Sequence, residues 1–142
     1  MTAAWCRRFV AALLVAAIPA AALACGFCIE DKIAAVYDHA VVTRAIAQEH
    51  QVVFFAVEGQ MPAGHASRRK LEAIVESVAG VDKGSVRVSV EPASLSLAFN
   101  PARAPFAGME RALGRKLAAM GLSVAILRVM DEPAESKPVA KR

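Results

Sequence analysis

Two cysteines three positions apart, Cys25 and Cys28, are the residues of this chain best suited to chemistry. Paired thiolates at this spacing can hold Cu(I) or Hg(II) in a nearly linear site, or supply half of a zinc site, because soft ligands select soft ions. The same spacing also closes a local disulfide in an oxidising compartment or supports thiol redox exchange. A thioredoxin-like pair lies between a strand and a helix of a βαβ unit; no strand precedes this one, so redox catalysis is the weaker use. Met61 and His65, a thioether and an imidazole in one loop, are a secondary candidate for copper. Lone residues of these kinds more often pack on a core or sit at a helix start. His39 stands 11 positions beyond Cys28 (39 − 28), roughly 16 Å along a continuous helix, too far to join the thiols. With His50, it reads as a surface or capping histidine. Glu30 and Asp31 have no nucleophile beside them and suit the positive end of a helix dipole. No Ser/His/Asp arrangement, Gly-rich phosphate cradle or HExxH occurs, so the expectation is a binding protein and not an enzyme.

What precedes the pair has the grammar of an export signal. Trp5-Cys6-Arg7-Arg8 gives a basic start, an apolar run follows to Ile18, and Ala20-Ala21-Ala22-Leu23-Ala24 supplies small residues before Cys25. Ala22-Leu23-Ala24 suits ordinary signal peptidase. Leu23-Ala24-Cys25 resembles the lipobox of bacterial lipoproteins, with Leu one residue nearer the Cys than that pattern has it. Soluble export is favoured; lipidation would consume the Cys25 thiol. Both place the chain in the periplasm or cell envelope, which is oxidising. The whole chain, 142 residues and 15.0 kDa, has net charge +4, and loss of Arg7 and Arg8 with residues 1–24 leaves +2 (4 − 2). With Arg68-Arg69-Lys70 as the only basic run, nucleic-acid binding is not expected.

The elements that must position these residues follow from periodicity. One helix is expected over 27–48, with Ile29, Ile33, Val36, Tyr37, Ala40 and Val41 on its apolar face. Residues 51–58 read as a strand that is apolar on both faces, so covered on both. A loop with two glycines and a proline leads to a helix over 66–79, striped by Leu71, Ile74, Val75 and Val78. Strands at 85–90 and around Leu95, Leu97 and Phe99 form a hairpin. Pro105 opens a further helix with Phe106, Met109, Leu113, Leu117 and Met120 inward, and residues 122–130 make a last strand.

After the first helix the order is β-α-β-β-α-β, the ferredoxin-like arrangement. Both helices of that arrangement cover one sheet face, so the doubly apolar strand calls for a second cover. The 27–48 helix is the natural one and a homodimer the alternative.

Several phrases carry a resemblance over residues 51–130. They are Val57-Glu58-Gly59 ending the first strand, the helix phrase from Leu71-Glu72-Ala73-Ile74-Val75 to Gly80-Val81, Ser85-Val86-Arg87-Val88-Ser89-Val90, and Leu97-Ala98-Phe99-Asn100-Pro101. In this order the chain resembles the heavy-metal-associated domain family, the small modules of copper chaperones, copper pumps and periplasmic mercury-binding proteins. That family carries Gly-Met-x-Cys-x-x-Cys after its first strand. Here the loop is Gly59-Gln60-Met61-Pro62-Ala63-Gly64-His65-Ala66-Ser67, two residues longer and without cysteine. The family's cysteines fall on Gly64 and Ser67 or on Pro62 and His65, depending on the anchor.

The expectation is therefore an α+β protein, a ferredoxin-like βαββαβ sandwich with an additional N-terminal helix. Residues 1–24 form the signal peptide, 25–50 the CxxC segment and helix, 51–130 the domain, and 131–142 a disordered tail. It would bind or pass a soft metal ion, Cu(I) first and Hg(II) second, through Cys25 and Cys28, with a membrane metal transporter or another envelope protein as partner. The alternative is a non-catalytic interaction module or lipoprotein, with Cys25 lipidated or disulfide-bonded and no metal role.

Overall fold

A continuous apolar stretch, residues 52–57, is buried on every position of strand β1 (Gln51–Glu58) except its ends, so this strand lies at the centre of two cores. The computed structural model describes residues 28–131. The expected signal segment, Cys25 and the expected tail from residue 132 onward lie outside the described residues. Around β1 stand helices α1 (Ile29–Ala34), α2 (His39–Ala47), α3 (His65–Glu76) and α4 (Phe106–Ala118), and strands β2 (Arg87–Val90), β3 (Ala93–Phe99) and β4 (Ser123–Met130). The sheet runs β2-β3-β1-β4 and every pairing is antiparallel. With the element order after α2, this is the ferredoxin-like α+β fold expected from the sequence.

Side-chain alternation assigns the two faces. Val53, Phe55 and Val57 of β1 join Leu95, Leu97 and Phe99 of β3 beneath Leu71 and Val75 of α3 and Met109, Leu113 and Leu117 of α4. Val52, Phe54 and Ala98 face the other way, onto Ile33, Val36, Val41, Val42 and Ala45 of the N-terminal segment. The second cover is thus supplied by the chain's own N-terminal helices. Each fully buried side chain of this size contributes about 1.5–3 kcal/mol of transfer free energy.

The single helix expected over 27–48 is two helices. Asp38 ends the first run by capping the second: its carboxylate accepts from the backbone N–H of Ala40 at 2.9 Å and of Val41 at 3.1 Å. An Ala40 N–H bound to Asp38 does not serve the Val36 carbonyl four residues back. That carbonyl instead accepts from the Ser96 hydroxyl of β3 at 2.7 Å. Because the chain turns at 35–38, Ile33, Val36 and Val41 are buried, whereas Ile29, Tyr37 and Ala40 of the expected stripe are exposed. Tyr37 still stacks on Phe54, with ring centroids 6.3 Å apart.

The strand expected at 85–90 starts at Arg87. Ser85 is buried and tied by its side chain, its hydroxyl donating to the Asp82 carbonyl at 2.6 Å and accepting from the Ala98 N–H at 3.1 Å. In β4, Ile126 lies opposite Phe55 and Arg128 opposite Phe54, so Leu127 is an extra residue in a bulge.

Candidate metal centre

Cys28 is the N-cap of α1, in extended backbone, and its side chain is exposed. Its N–H donates to the Asp31 carboxylate at 3.2 Å, which fixes the turn from which the thiol projects. The helix is docked on the sheet by buried Ile33 and tethered at its start by Arg128 of β4, which donates to Glu30 at 2.7 Å. Cys28 makes no disulfide with a described residue. Cys25 lies outside the described residues, so the structure positions one half of the expected pair. The surroundings of that half are acidic, with Glu30 and Asp31 both in the first turn of α1.

The loop that carries the metal motif in the resembled family is built differently. Gly59 leaves β1 at φ +112°, and a Cβ there would stand 2.6 Å from the Gly121 carbonyl oxygen, so glycine is required for the close approach of the α4–β4 turn. Met61 is half-buried and packs against the main core, and His65 is the exposed first residue of α3. Met61 thus does the packing work that loop methionines ordinarily do. Gly64, at the N-cap of α3, offers no side-chain cap, and the first turns hold His65, Arg68, Arg69 and Lys70 without an acid. The Arg68 Nε is buried with no hydrogen-bond partner among the described residues. Positive charge at a helix N-terminus adds to the dipole and repels a cation. Without thiolates, this end of the domain is electrostatically poor for a metal ion.

The two candidate sets belong to opposite layers. Cys28 precedes α1, which packs on the Val52/Phe54 face, while Met61 packs on the face of α3 and α4. The structure does not join them. Among the described residues, no group of three or more His, Cys, Asp and Glu side chains is placed to hold a metal ion. His39, the first residue of α2, is exposed, with its Nε2 3.5 Å from the Thr43 hydroxyl. Because the helix is broken between Ala34 and His39, the separation of His39 from Cys28 is not that of one continuous helix. His50 is half-buried and pairs through Nδ1 with Asp82 at 2.6 Å, locking the end of α2 to the loop after α3.

Sequence reasoning missed the polar residues that fix the N-terminal layer. Arg87 of β2 binds Asp38 through Nε at 2.9 Å and Nη2 at 2.8 Å, in addition to the cap that Asp38 makes. The Val41 N–H first, and then Arg87, hold the Asp38 carboxyl below its usual value. Asp38 directly before an apolar run was a legible cap signal; its partner on a distant strand had none.

No family model matches the sequence, and no curated protein matches it significantly. Among solved structures, oxidized MerP from Ralstonia metallidurans CH34 is similar at 22% identity, with a TM-score of 0.43, covering 56% of this chain and 99% of that one. A copper binding domain from HMA7, a P-type ATPase, is similar at 19% identity with a TM-score of 0.43, covering 56% of this chain and 96% of that one. The ferredoxin-like fold itself follows from the strand order and the two helices on one face. Among the described residues, no helix is long and apolar enough to cross a membrane.

Proposed function

We propose that this chain is an exported cell-envelope protein that binds a soft metal ion and passes it on, with Cu(I) the first cargo and Hg(II) the second. It acts as a carrier and not as an enzyme. The observation that carries this reading is the placement of Cys28, exposed at the head of a helix anchored to the sheet, three positions from Cys25 and beside two carboxylates. Softness of the thiolates selects the ion, and the neighbouring acids favour positive charge. The basic, thiol-free loop at the head of α3 supports the same choice by disfavouring the alternative of Met61 and His65.

Transfer follows from exposure. In a two-coordinate ion held by Cys25 and Cys28, an incoming thiolate from a membrane transporter or another envelope protein adds as a third ligand, and one of the two resident thiolates then leaves. Lipidation or oxidation of Cys25 removes this route.

The test is Cu(I) competition between a chromophoric chelator and the reduced chain beginning at Cys25. One equivalent drawn from the chelator, lost in Cys28→Ser and kept in Met61→Ala/His65→Ala, is the expected result. Binding that survives Cys28→Ser and fails in the double variant moves the site to the loop. No competition by the wild-type chain removes the metal role, and a lipid mass on Cys25 then supports the lipoprotein reading.

A further inference from the structure

Strand β4 is the outer strand of the sheet, eight residues long, and no described residue pairs with its free edge. Free edges of that length are usually protected by proline, charge, a bulge or brevity. The other edge has such protection: β2 is four residues long and is followed by Glu91 and Pro92. β4 contains no proline, its one charge, Arg128, is already bound to Glu30, and the single bulge at Leu127 is the one such device left to it among the described residues. The bulge at Leu127 has a further effect. It places Ile126 and Val129, opposite Phe55 and Val53, on the same face, where they are 42% and 39% exposed beside α4.

Next to them α4 and the start of β4 enclose an open groove of about 450 Å³, walled by Ala107, Gly114 and Ala118 and floored by Leu122 and Val124. The groove exists because the facing residues of α4 are small. Its charged residues are Glu110 and Arg111, neither of which pairs with another described residue.

We infer that β4 and this face of α4 form a two-fold interface with a second copy of the chain, continuing the sheet from one copy into the other. A two-fold axis beside β4 sets the strand antiparallel to itself, about 4.8 Å from its mate. With α4 seated slightly inward of β4, the two α4 helices then run antiparallel at about 10 Å, a separation that small residues allow. An adjacent acid and base are self-complementary under that operation: Glu110 of one copy meets Arg111 of the other, twice. A neutral edge also lies against itself without repulsion. These features select a second copy over a partner of one charge sign. The proposed contacts use no thiol, so the test under reducing conditions does not depend on metal binding.

Sedimentation and native mass spectrometry of the full chain under reducing conditions provide the experiment. A dimer is expected, weakened at least about tenfold by Ile126→Glu, by Glu110→Arg and by Arg111→Glu. Val90→Glu, on the β2 edge, leaves it intact. An equimolar mixture of Glu110→Arg and Arg111→Glu restores a dimer holding one copy of each, because both cross-contacts become attractive; this readout is independent of any folding defect. A monomeric wild-type chain overturns the inference, as does a folded Ile126→Glu chain that stays fully dimeric, or a charge-swapped mixture that stays monomeric.

Discussion

Replacing Ser96 with Ala removes one hydroxyl and tests why the N-terminal segment is two helices. Ser96 is 3% exposed and donates to the Val36 carbonyl at 2.7 Å. Val36 is itself buried, and the N–H that would serve its carbonyl in a continuous helix, that of Ala40, is bound to Asp38. In Ser96→Ala the carbonyl has no remaining described partner, and an orphaned buried acceptor costs about 1–3 kcal/mol. At about 4–8 °C per kcal/mol for a domain of this size, a loss near 2 kcal/mol lowers Tm by roughly 8–16 °C. Ser94→Ala is the control. Ser94 is equally buried, but its hydroxyl donates at 3.2 Å to the Pro92 carbonyl two residues away, a local bond worth about 0.5–1 kcal/mol. Urea and thermal unfolding give the energies. Amide hydrogen exchange shows where they act, with α1 and α2 expected to lose protection ahead of the sheet. Ser96→Ala unfolding within error of wild type, or Ser94→Ala proving the more damaging, would refute the account of the helix break.

Phe54→Ala should cost about 3–5 kcal/mol in denaturant unfolding, because a fully buried ring that anchors Tyr37 and the second core is lost; a cost below 1 kcal/mol would mean that α1 and α2 do not rest on it. Gly59→Ala should destabilise by more than about 1 kcal/mol through its positive φ and the contact with the Gly121 carbonyl, checked by the shift in urea midpoint. The Asp38 carboxyl is held low in the folded state, so its stabilising effect is complete above the unfolded value of about 3.9 and is lost as pH falls through the lower folded value. Unfolding midpoints measured down through pH 4 should therefore fall more steeply for wild type than for Asp38→Asn, and equal slopes would count against the pairing with Val41 and Arg87. Cys28→Ser should abolish Cu(I) competition while leaving the melting curve unchanged, since the side chain is exposed.

The fold was legible because its strongest signals are local. Six consecutive apolar residues at 52–57 announced a strand buried on both faces, and the stripes Leu71–Val75–Val78 and Met109–Leu113–Leu117 announced the helices that cover one of them. The need for a second cover was legible too, and its identity was correct. What misled was the apolar periodicity through Tyr37 and Ala40, which continues across a point where Asp38 prefers to cap. A capping carboxylate and an unbroken stripe compete there, and distant groups decide: Ser96 satisfies the freed carbonyl and Arg87 holds the cap. Such long-range polar partners leave no periodic trace. Of the candidate site, the sequence offered Cys28 and a thiol-free loop, while the packing of Met61 became visible only with the core around it.

If Cys25 and Cys28 hold the cargo, as proposed, that placement decides which surface a partner must meet. At the head of α3, cargo exchange would occur beside Arg68, Arg69 and Lys70, where an acidic partner is favoured. At Cys28 it would occur beside Glu30, Asp31 and the exposed Ile29, on the opposite layer of the domain, where a basic rim around an apolar contact fits better. Glu30 is paired with Arg128, but Asp31 accepts only from the Cys28 N–H, so the turn bearing the thiol retains negative charge. Exchange through this turn should therefore slow as salt rises if the acceptor is basic, since exposed charges more than about 8–10 Å apart are screened at physiological ionic strength. Reversing Asp31 to Lys should slow delivery to a basic acceptor by a larger factor than it weakens the equilibrium Cu(I) affinity of the thiols. Stopped-flow transfer to a basic dithiol peptide measures the first and chelator competition the second; equal rates for both chains would show that the carboxylates play no part in docking.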